Sequence, residues 1–185
     1  RINVKIKSDT ETEINGQGPD ISDDAVKKLY EKLDSLNDGD TLVLAGSIPS
    51  SLSDSIYCEI MDYLKDKKLN IVVDATKDLL VNVLKYKPFL VKPNNHEIGE
   101  IFGVELKTRS EVVPYAKKMQ EMGAKNVLVS MAGEGAVFVG ENGEVYESEA
   151  PKGKLVNSTG AGDSMVAGFL AGYMEKQDFM YALKM

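Results

Sequence analysis

The 185-residue sequence predicts an α/β fold, with a mostly parallel sheet covered by helices on both faces and closed by an antiparallel edge. Three observations carry that prediction. Four short apolar runs, TLVLAG, NIVVDA, PFLVKP and NVLVS, read as strands buried on both faces, because a strand with one wet face alternates instead. Segments with a helical apolar period lie between those runs. Near the end, AVFVG and EVYES flank Asn142-Gly143, a dipeptide that suits a tight hairpin turn.

Taken in order, the chain opens on RINVKIK, where Ile2, Val4 and Ile6 alternate with Arg1, Asn3 and Lys5, so the three polar groups share one strand face. TETEIN follows a short turn at Ser8-Asp9, and the hairpin so formed ends at Gly16, Gly18 and Pro19. Ser22 before Asp23 and Asp24 is a helix start, continued by Val26, Leu29, Leu33 and Leu36. TLVLAG is then a buried strand. SLSDSIYCEIMDYLK is a helix with Ile56, Ile60 and Leu64 on one side, and NIVVDA is the next strand. PFLVKP adds a strand, HEIGEIFG a short helix, and Val112, Ala116 and Met119 mark a longer helix before NVLVS. After the hairpin, GAGDSMVAGFLAGYM reads as a helix lined with small residues, and a further helical pattern begins at Met180 and Leu183. The chain starts on Arg1, directly in a strand, and stops within that last pattern; a longer parent protein is expected. No repeat, low-complexity tract or linker divides the sequence, so a single domain is expected over 1–185.

Composition narrows the function classes. With 43% hydrophobic and 28% charged residues the chain is expected to fold, and 22 Lys and Arg against 29 Asp and Glu give a net charge of -7. An acidic protein does not suit a nucleic-acid partner, which requires a cationic surface. No stretch has the length and apolarity of a membrane span, and Cys58 has no second cysteine with which to pair, so a cytoplasmic setting without membrane attachment is expected.

The sharpest chemical feature is NSTGAGDSMVAGF, where a glycine-bearing turn leads straight into a helix. Gly160, Ala161 and Gly162 carry little bulk, so an anion can approach their amides, and the helix dipole adds attraction. Asp163, just after those amides, stands where it can accept a proton from an alcohol attacking a phosphorus held there. An acidic residue in a first turn is also favourable for dipole reasons alone. Asn94 and Glu97 place oxygen-bearing side chains three apart at a helix start, where they can hold magnesium-bound water or close a capping box. Asp74 ends an apolar strand where parallel sheets bind ligands, and is read as structural or as supporting the groups that touch ligand. His96 and Cys58 have no partners that mark them as ligand or nucleophile. Walker A's GxxxxGK[ST] and the dinucleotide-binding GxGxxG are both absent.

The string NSTGAGDSMVAGF closely resembles the second signature of ribokinase-type (PfkB) carbohydrate kinases, with Asn157 where many ribokinases have aspartate. The resemblance continues in family order along the chain: LAGSIPSSL is similar to its GSLP element, KPNNHEIGEIFG to its NxxE element, and VSMAGEGAVFV to its nucleotide-binding strand and turn, with Ala132 where glycine is usual. RINVKIKSDTETEINGQGP resembles most the fructose-1-phosphate branch. The resemblance implies a ribokinase-like three-layer αβα sandwich, incomplete at its N-terminal side, with 1–16 as strands of the substrate or lid side and 17–185 as the nucleotide-binding core. It implies Asp163 as catalytic base and Gly160, Ala161 and Gly162 as an anion hole. Ser130, Gly133 and Gly135 would then line ATP, Asn94 and Glu97 would serve magnesium, and Arg1, Asn3, Lys5 and Ser47 would bind a phosphosugar. By alternation alone, Arg1 and Lys5 read as a solvated strand face, and the glycines after Ser130 as a plain hairpin.

The expected activity is ATP- and Mg2+-dependent phosphorylation of a ketose phosphate, fructose 1-phosphate first, with tagatose 6-phosphate or fructose 6-phosphate as the second choice. A homodimer of the full-length protein is a further expectation. A non-catalytic nucleotide-binding fragment is the rival of another class, and the isolated chain is expected to fold without sugar-kinase turnover.

Overall fold

A computed structural model of the chain describes residues 2–7, 11–16, 18–154 and 159–185. Arg1, the Ser8-Asp9 turn and Asn157 lie outside the described residues. Strands β1 (Asn3–Lys7) and β2 (Glu11–Asn15) pair antiparallel as a separate two-stranded sheet, with Asn3 opposite Asn15 and Lys5 opposite Glu13. The Gly16 amide closes the pair onto the Ile2 carbonyl at 3.0 Å.

The main sheet contains β3 (Thr41–Ala45), β4 (Asn70–Asp74), β5 (Leu90–Val91), β6 (Asn126–Ser130), β7 (Ala136–Val139) and β8 (Val145–Ser148), adjacent in that order. Neighbours from β3 to β6 pair parallel, and β6, β7 and β8 pair antiparallel. The helices are α1 (Asp23–Asp34), α2 (Ile56–Tyr63), α3 (Lys77–Val83), α4 (Asn95–Phe102), α5 (Arg109–Glu121), α6 (Ala161–Lys176) and α7 (Phe179–Lys184).

Strand alternation divides the core in two. Ile71, Val73, Val127, Val129, Val137 and Val139 pack into a cluster with Leu33, Ile60, Leu80, Ile98, Val112 and Met119 from α1 to α5. The intervening Val72, Leu128, Ala136 and Phe138 pack with Val166, Phe169 and Leu170 of α6 and Ala182 of α7. Phe138 anchors this second cluster, its ring 5.2 Å from that of Phe169 and 4.7 Å from that of Phe179. Helices on both faces of a mostly parallel sheet with an antiparallel edge make the three-layer αβα sandwich that the sequence predicts.

Some local expectations need correction. TLVLAG is not buried on both faces: Leu44 is 7% exposed but Val43 is 42% exposed. Among the described residues β3 pairs with β4 alone, and the α6–α7 cluster reaches Val72 of β4 without including Val43. Helix α2 starts at Ile56 and not at Ser51, because Ser53 accepts the Ser55 amide at 3.1 Å and holds the chain in a local turn. Helix α3 has no counterpart in the sequence reading; seven residues are too few for a helical period to stand out. The Ser22 start holds, its hydroxyl accepting the Ala25 amide at 3.3 Å.

Candidate active site

The parallel strands end together, and the predicted residues collect at that edge. Strand β3 runs out into Gly46-Ser47, β4 ends on Asp74, β5 leads to Lys92, and β6 ends on Ser130. Backbone bonds join neighbouring ends: Gly46 N–H to the Asp74 carbonyl at 3.0 Å, Lys92 N–H to the Val73 carbonyl at 3.1 Å, and Ser130 N–H to the Pro93 carbonyl at 3.1 Å. A parallel bridge pairs Asn94 with Ser130. This carboxyl edge is where open parallel sheets bind ligands.

Helix α6 begins beside it. Gly160 takes the N-cap position at φ +78, a left-handed conformation that disfavours side chains, and it offers no side chain to cap the helix. The first turn of a helix has amides without intrahelical acceptors, and here Ser164 N–H, bonded to the Gly160 carbonyl at 2.8 Å, begins the ladder. Asp163 is exposed within that turn. Gly162 faces Lys92 so closely that a Cβ there would lie 3.2 Å from Nζ. Residue size and backbone conformation therefore leave the α6 start approachable and set an ammonium group against it.

Lys92, which the sequence presents only as part of a strand, is the charged residue most deeply placed in the site. Its side chain is 7% exposed, and Nζ lies 3.1 Å from Oδ1 of Asp74, itself 18% exposed. Burial pushes the Asp74 carboxyl above its ordinary range despite the opposing pull of Lys92, and the charge of Asp163 adds to the rise. The sequence does contain a signal for this pair: a lysine inside an apolar run and an aspartate at the end of the neighbouring run, since a buried charge requires a partner. Tyr57 lies behind them, its hydroxyl 2.8 Å from the Ala45 carbonyl and 3.1 Å from that of Gly46. Burial raises the Tyr57 phenol, and the Asp74 charge raises it further.

Asn94 and Glu97 form a complete capping box on α4. Asn94 Oδ1 accepts the Glu97 amide at 2.8 Å, and Glu97 Oε2 accepts the Asn94 amide at 2.7 Å. Among the described residues no three His, Cys, Asp or Glu side chains converge as a metal cage. The half-buried Glu97 carboxylate retains a second oxygen, and hard oxygen donors fit magnesium, which keeps waters and takes few protein ligands. His96 is exposed on α4, as expected.

In the turn after Ser130, Met131 N–H bonds to the Gly135 carbonyl at 2.8 Å, and Ala132 adopts φ +46. Gly135 has φ +89, and a Cβ on it would lie 1.9 Å from the Ser148 carbonyl oxygen of β8. Its size is thus fixed by the hairpin. Gly133 has open space where a Cβ would stand. The structure gathers Gly160, Ala161, Gly162, Asp163, Asn94, Glu97 and Ser130 at one edge with Asp74 and Lys92, and Gly133 and Gly135 in the adjoining turn. Ser47 follows Gly46 at the same edge and is exposed. Asn3 and Lys5 belong to the separate hairpin.

Comparison with known proteins agrees with this architecture. The 1-phosphofructokinase of Bacillus subtilis (strain 168) is 54% identical over 172 residues, which cover 93% of this chain and 56% of that protein. D-tagatose-1-phosphate kinase of Bacillus licheniformis is 32% identical over 171 residues, covering 92% of this chain and 56% of that enzyme. Among solved structures, a candidate phosphofructokinase from Staphylococcus aureus superposes with a TM-score of 0.85 at 35% identity, covering all of this chain and 60% of that one. Phosphofructokinase-2 from Escherichia coli in complex with fructose-6-phosphate gives 0.81 at 25% identity, covering 94% and 58%. The chain thus spans a little over half the length of the curated relatives it matches. A family profile described as pfkB family carbohydrate kinase matches residues 2–185, and the chain belongs to that family.

Proposed function

We propose that the full-length protein containing this chain transfers a phosphoryl group from ATP to a ketose phosphate, with fructose 1-phosphate accepting at its 6-hydroxyl. The observation that carries the reading is the glycine-capped start of α6, with Asp163 in its first turn and the Lys92 ammonium against Gly162. Charge developing on the transferred group meets the amides of Ala161, Gly162 and Asp163, which are fixed before reaction and so require no reorganisation. Lys92 supplies a positive charge beside those amides. Asp163, exposed in the first turn of α6, takes the proton of the attacking hydroxyl. Ser130, Gly133 and Gly135 line the nucleotide; Ser47, with Arg1, Asn3 and Lys5, holds the phosphate already on the sugar. Glu97 and Asn94 would hold the water of a magnesium ion, which when bound would offset the charge of the nucleotide phosphates.

The relatives support a ketose carrying its phosphate at C1, since the Bacillus subtilis and Bacillus licheniformis proteins are named for fructose 1-phosphate and tagatose 1-phosphate. Tagatose 1-phosphate is therefore the second reading, ahead of 6-phosphorylated sugars. Among the described residues no helix is long and apolar enough to cross a membrane, in keeping with a proposed cytoplasmic enzyme. Exposed Ile2, Val4, Ile6 and Ile14 support a homodimer.

Asp163→Asn in the full-length enzyme tests the mechanism. The expected result is a kcat lower by about 10²–10⁴-fold, the range of general-base catalysis, with ATP affinity nearly unchanged. A variant that keeps most of its kcat removes Asp163 from the reaction. A panel of fructose and tagatose phosphates, run under one set of conditions, ranks the acceptors.

A further inference from the structure

We infer that Asp74 is a positioning residue for phosphoryl transfer, holding the Lys92 ammonium at the first turn of α6 and tying that side of the site to the turn before Ser47. The inference rests on the kinase reading above and goes beyond it by assigning a task to a residue that touches neither substrate.

Lysine has a flexible four-carbon stem and a point-like charge, so its location depends on what it is bound to. Both backbones of this pair are fixed. Asp74 ends β4 in register with Ala45 of β3, and the Lys92 amide bonds to the Val73 carbonyl at 3.1 Å. Their side chains meet at 3.1 Å in a place where each is largely buried. Among the described residues Asp74 is the ion-pair partner of Lys92, and an ammonium so buried would be strongly disfavoured without it. Gly162 leaves room for Nζ and little else, with 3.2 Å between Nζ and the position of a Cβ. The carboxylate thus sets the height of the charge under the α6 amides.

The same residue acts on the other side through its backbone. The Asp74 carbonyl accepts the Gly46 amide at 3.0 Å, and the Tyr57 hydroxyl bonds to the Ala45 carbonyl from behind. One residue therefore links the turn before Ser47, proposed for the acceptor, to the charge proposed for the transferred group. The charge of Asp163 reaches Asp74 and opposes its ionisation, while Lys92 favours it.

A mutant cycle in the full-length enzyme tests this, using Asp74→Asn, Lys92→Gln and the double variant, with Asp163→Asn alongside. Asparagine keeps the shape and the backbone bond to Gly46 while removing the charge that holds Lys92. Asp74→Asn is expected to lower kcat by about 10–100-fold, the scale of a small misplacement, while KM for the phosphosugar changes less than about threefold. The double variant should lose nothing beyond Lys92→Gln, because Asp74 acts through Lys92. A merely structural role would lower Tm and leave the two losses additive. Should Asp74→Asn fail to fold, Lys92→Gln, in which the 18% exposed Asp74 carboxyl loses its cation, and the double variant, which buries no unpaired charge, give the same comparison. Asp74→Asn retaining kcat within threefold, or a double variant ten times slower than Lys92→Gln, overturns the inference while Asp163→Asn remains inactive. An active Asp163→Asn removes Asp163 from the reaction, and a full-length parent with no ATP-dependent turnover of a phosphosugar overturns the kinase reading itself.

Discussion

Helices α4 and α6 begin at the same edge of the sheet and differ in what covers their first amides. At α4, Asn94 and Glu97 exchange side-chain and backbone hydrogen bonds at 2.8 and 2.7 Å, so the helix supplies its own oxygens. At α6, Gly160 contributes a left-handed backbone and no side chain. An oxygen from elsewhere has room at α6, whereas at α4 the corresponding place is taken. Helix α5 shows that closure alone carries no functional meaning. Thr108 and Glu111 build the same box there, and the Lys107 and Thr108 amides hold the Glu111 carboxyl below its usual range. The role proposed for Asn94 and Glu97 therefore rests on their place beside Ser130 and Lys92, and not on the box itself.

Filling the open start should have the largest effect. In Gly162→Val the new Cβ would stand 3.2 Å from Lys92 Nζ, with two methyl groups beyond it, and would displace both the ammonium and any anion at the first turn. The full-length variant is expected to lose at least about 10²-fold in kcat/KM, comparable to removing an oxyanion donor. Valine within a helix is no worse than glycine, so any fall in Tm reports the disturbed Asp74–Lys92 pair and not the helix itself. Steady-state kinetics beside a thermal melt separate the two quantities. An active Gly162→Val would mean that α6 is not the anion site.

Opening the closed start should act mainly on stability. Asn94→Ala removes the cap and leaves the Glu97 amide without its partner, at a cost of about 1 kcal/mol, or a Tm lower by about 2–4 °C. Glu97→Gln sharpens the comparison, because glutamine can still close a capping box while the carboxylate is gone. Its Tm should remain within about 1 °C of the parent, and half-maximal velocity should require several-fold more Mg2+. If both variants alter only Tm, Asn94 and Glu97 do no more than Thr108 and Glu111.

The difference between these two helix starts was legible in the sequence because each is written in consecutive residues. Asn94 to Glu97 has capping-box spacing, and Gly160 to Asp163 has the small residues of a phosphate turn. The sheet was legible for a similar reason, since four apolar runs separated by helical segments admit few arrangements. The Asp74–Lys92 pair was missed because its members are 18 positions apart and meet only when β4 and β5 lie side by side, the parallel register setting Val73 against Val91. The exposure of Val43 was missed because an apolar run does not state whether its strand is central or at an edge. Asn3 and Lys5 show the same limit. Alternation identifies a strand face but does not say what that face meets.

The smallest expected effect concerns Ala132, in the turn after β6, where the sequence departs from the glycine usual in this family. The residue adopts φ +46 in a turn that also brings the Met131 amide to the Gly135 carbonyl at 2.8 Å, so the neighbouring bonds hold it at a positive φ. A Cβ in that region costs about 1–2 kcal/mol, which glycine does not incur. Glycine also gives the unfolded chain more freedom, worth about 0.4–1 kcal/mol in the opposite direction. The balance for Ala132→Gly is a gain of up to about 1 kcal/mol, and a Tm higher by about 1–3 °C for a chain of this length. Differential scanning calorimetry at matched pH and salt resolves a shift of that size. The sign is the informative part. A lower Tm would mean that the Ala132 methyl makes contacts worth more than its backbone strain, and the alanine would then be a packing choice of this chain, not a strained substitute for glycine. A higher Tm with unchanged KM for ATP would show that the turn proposed for the nucleotide tolerates the alanine at a cost in stability alone, and would set this turn apart from the α6 start, where an added side chain is expected to lower kcat/KM sharply.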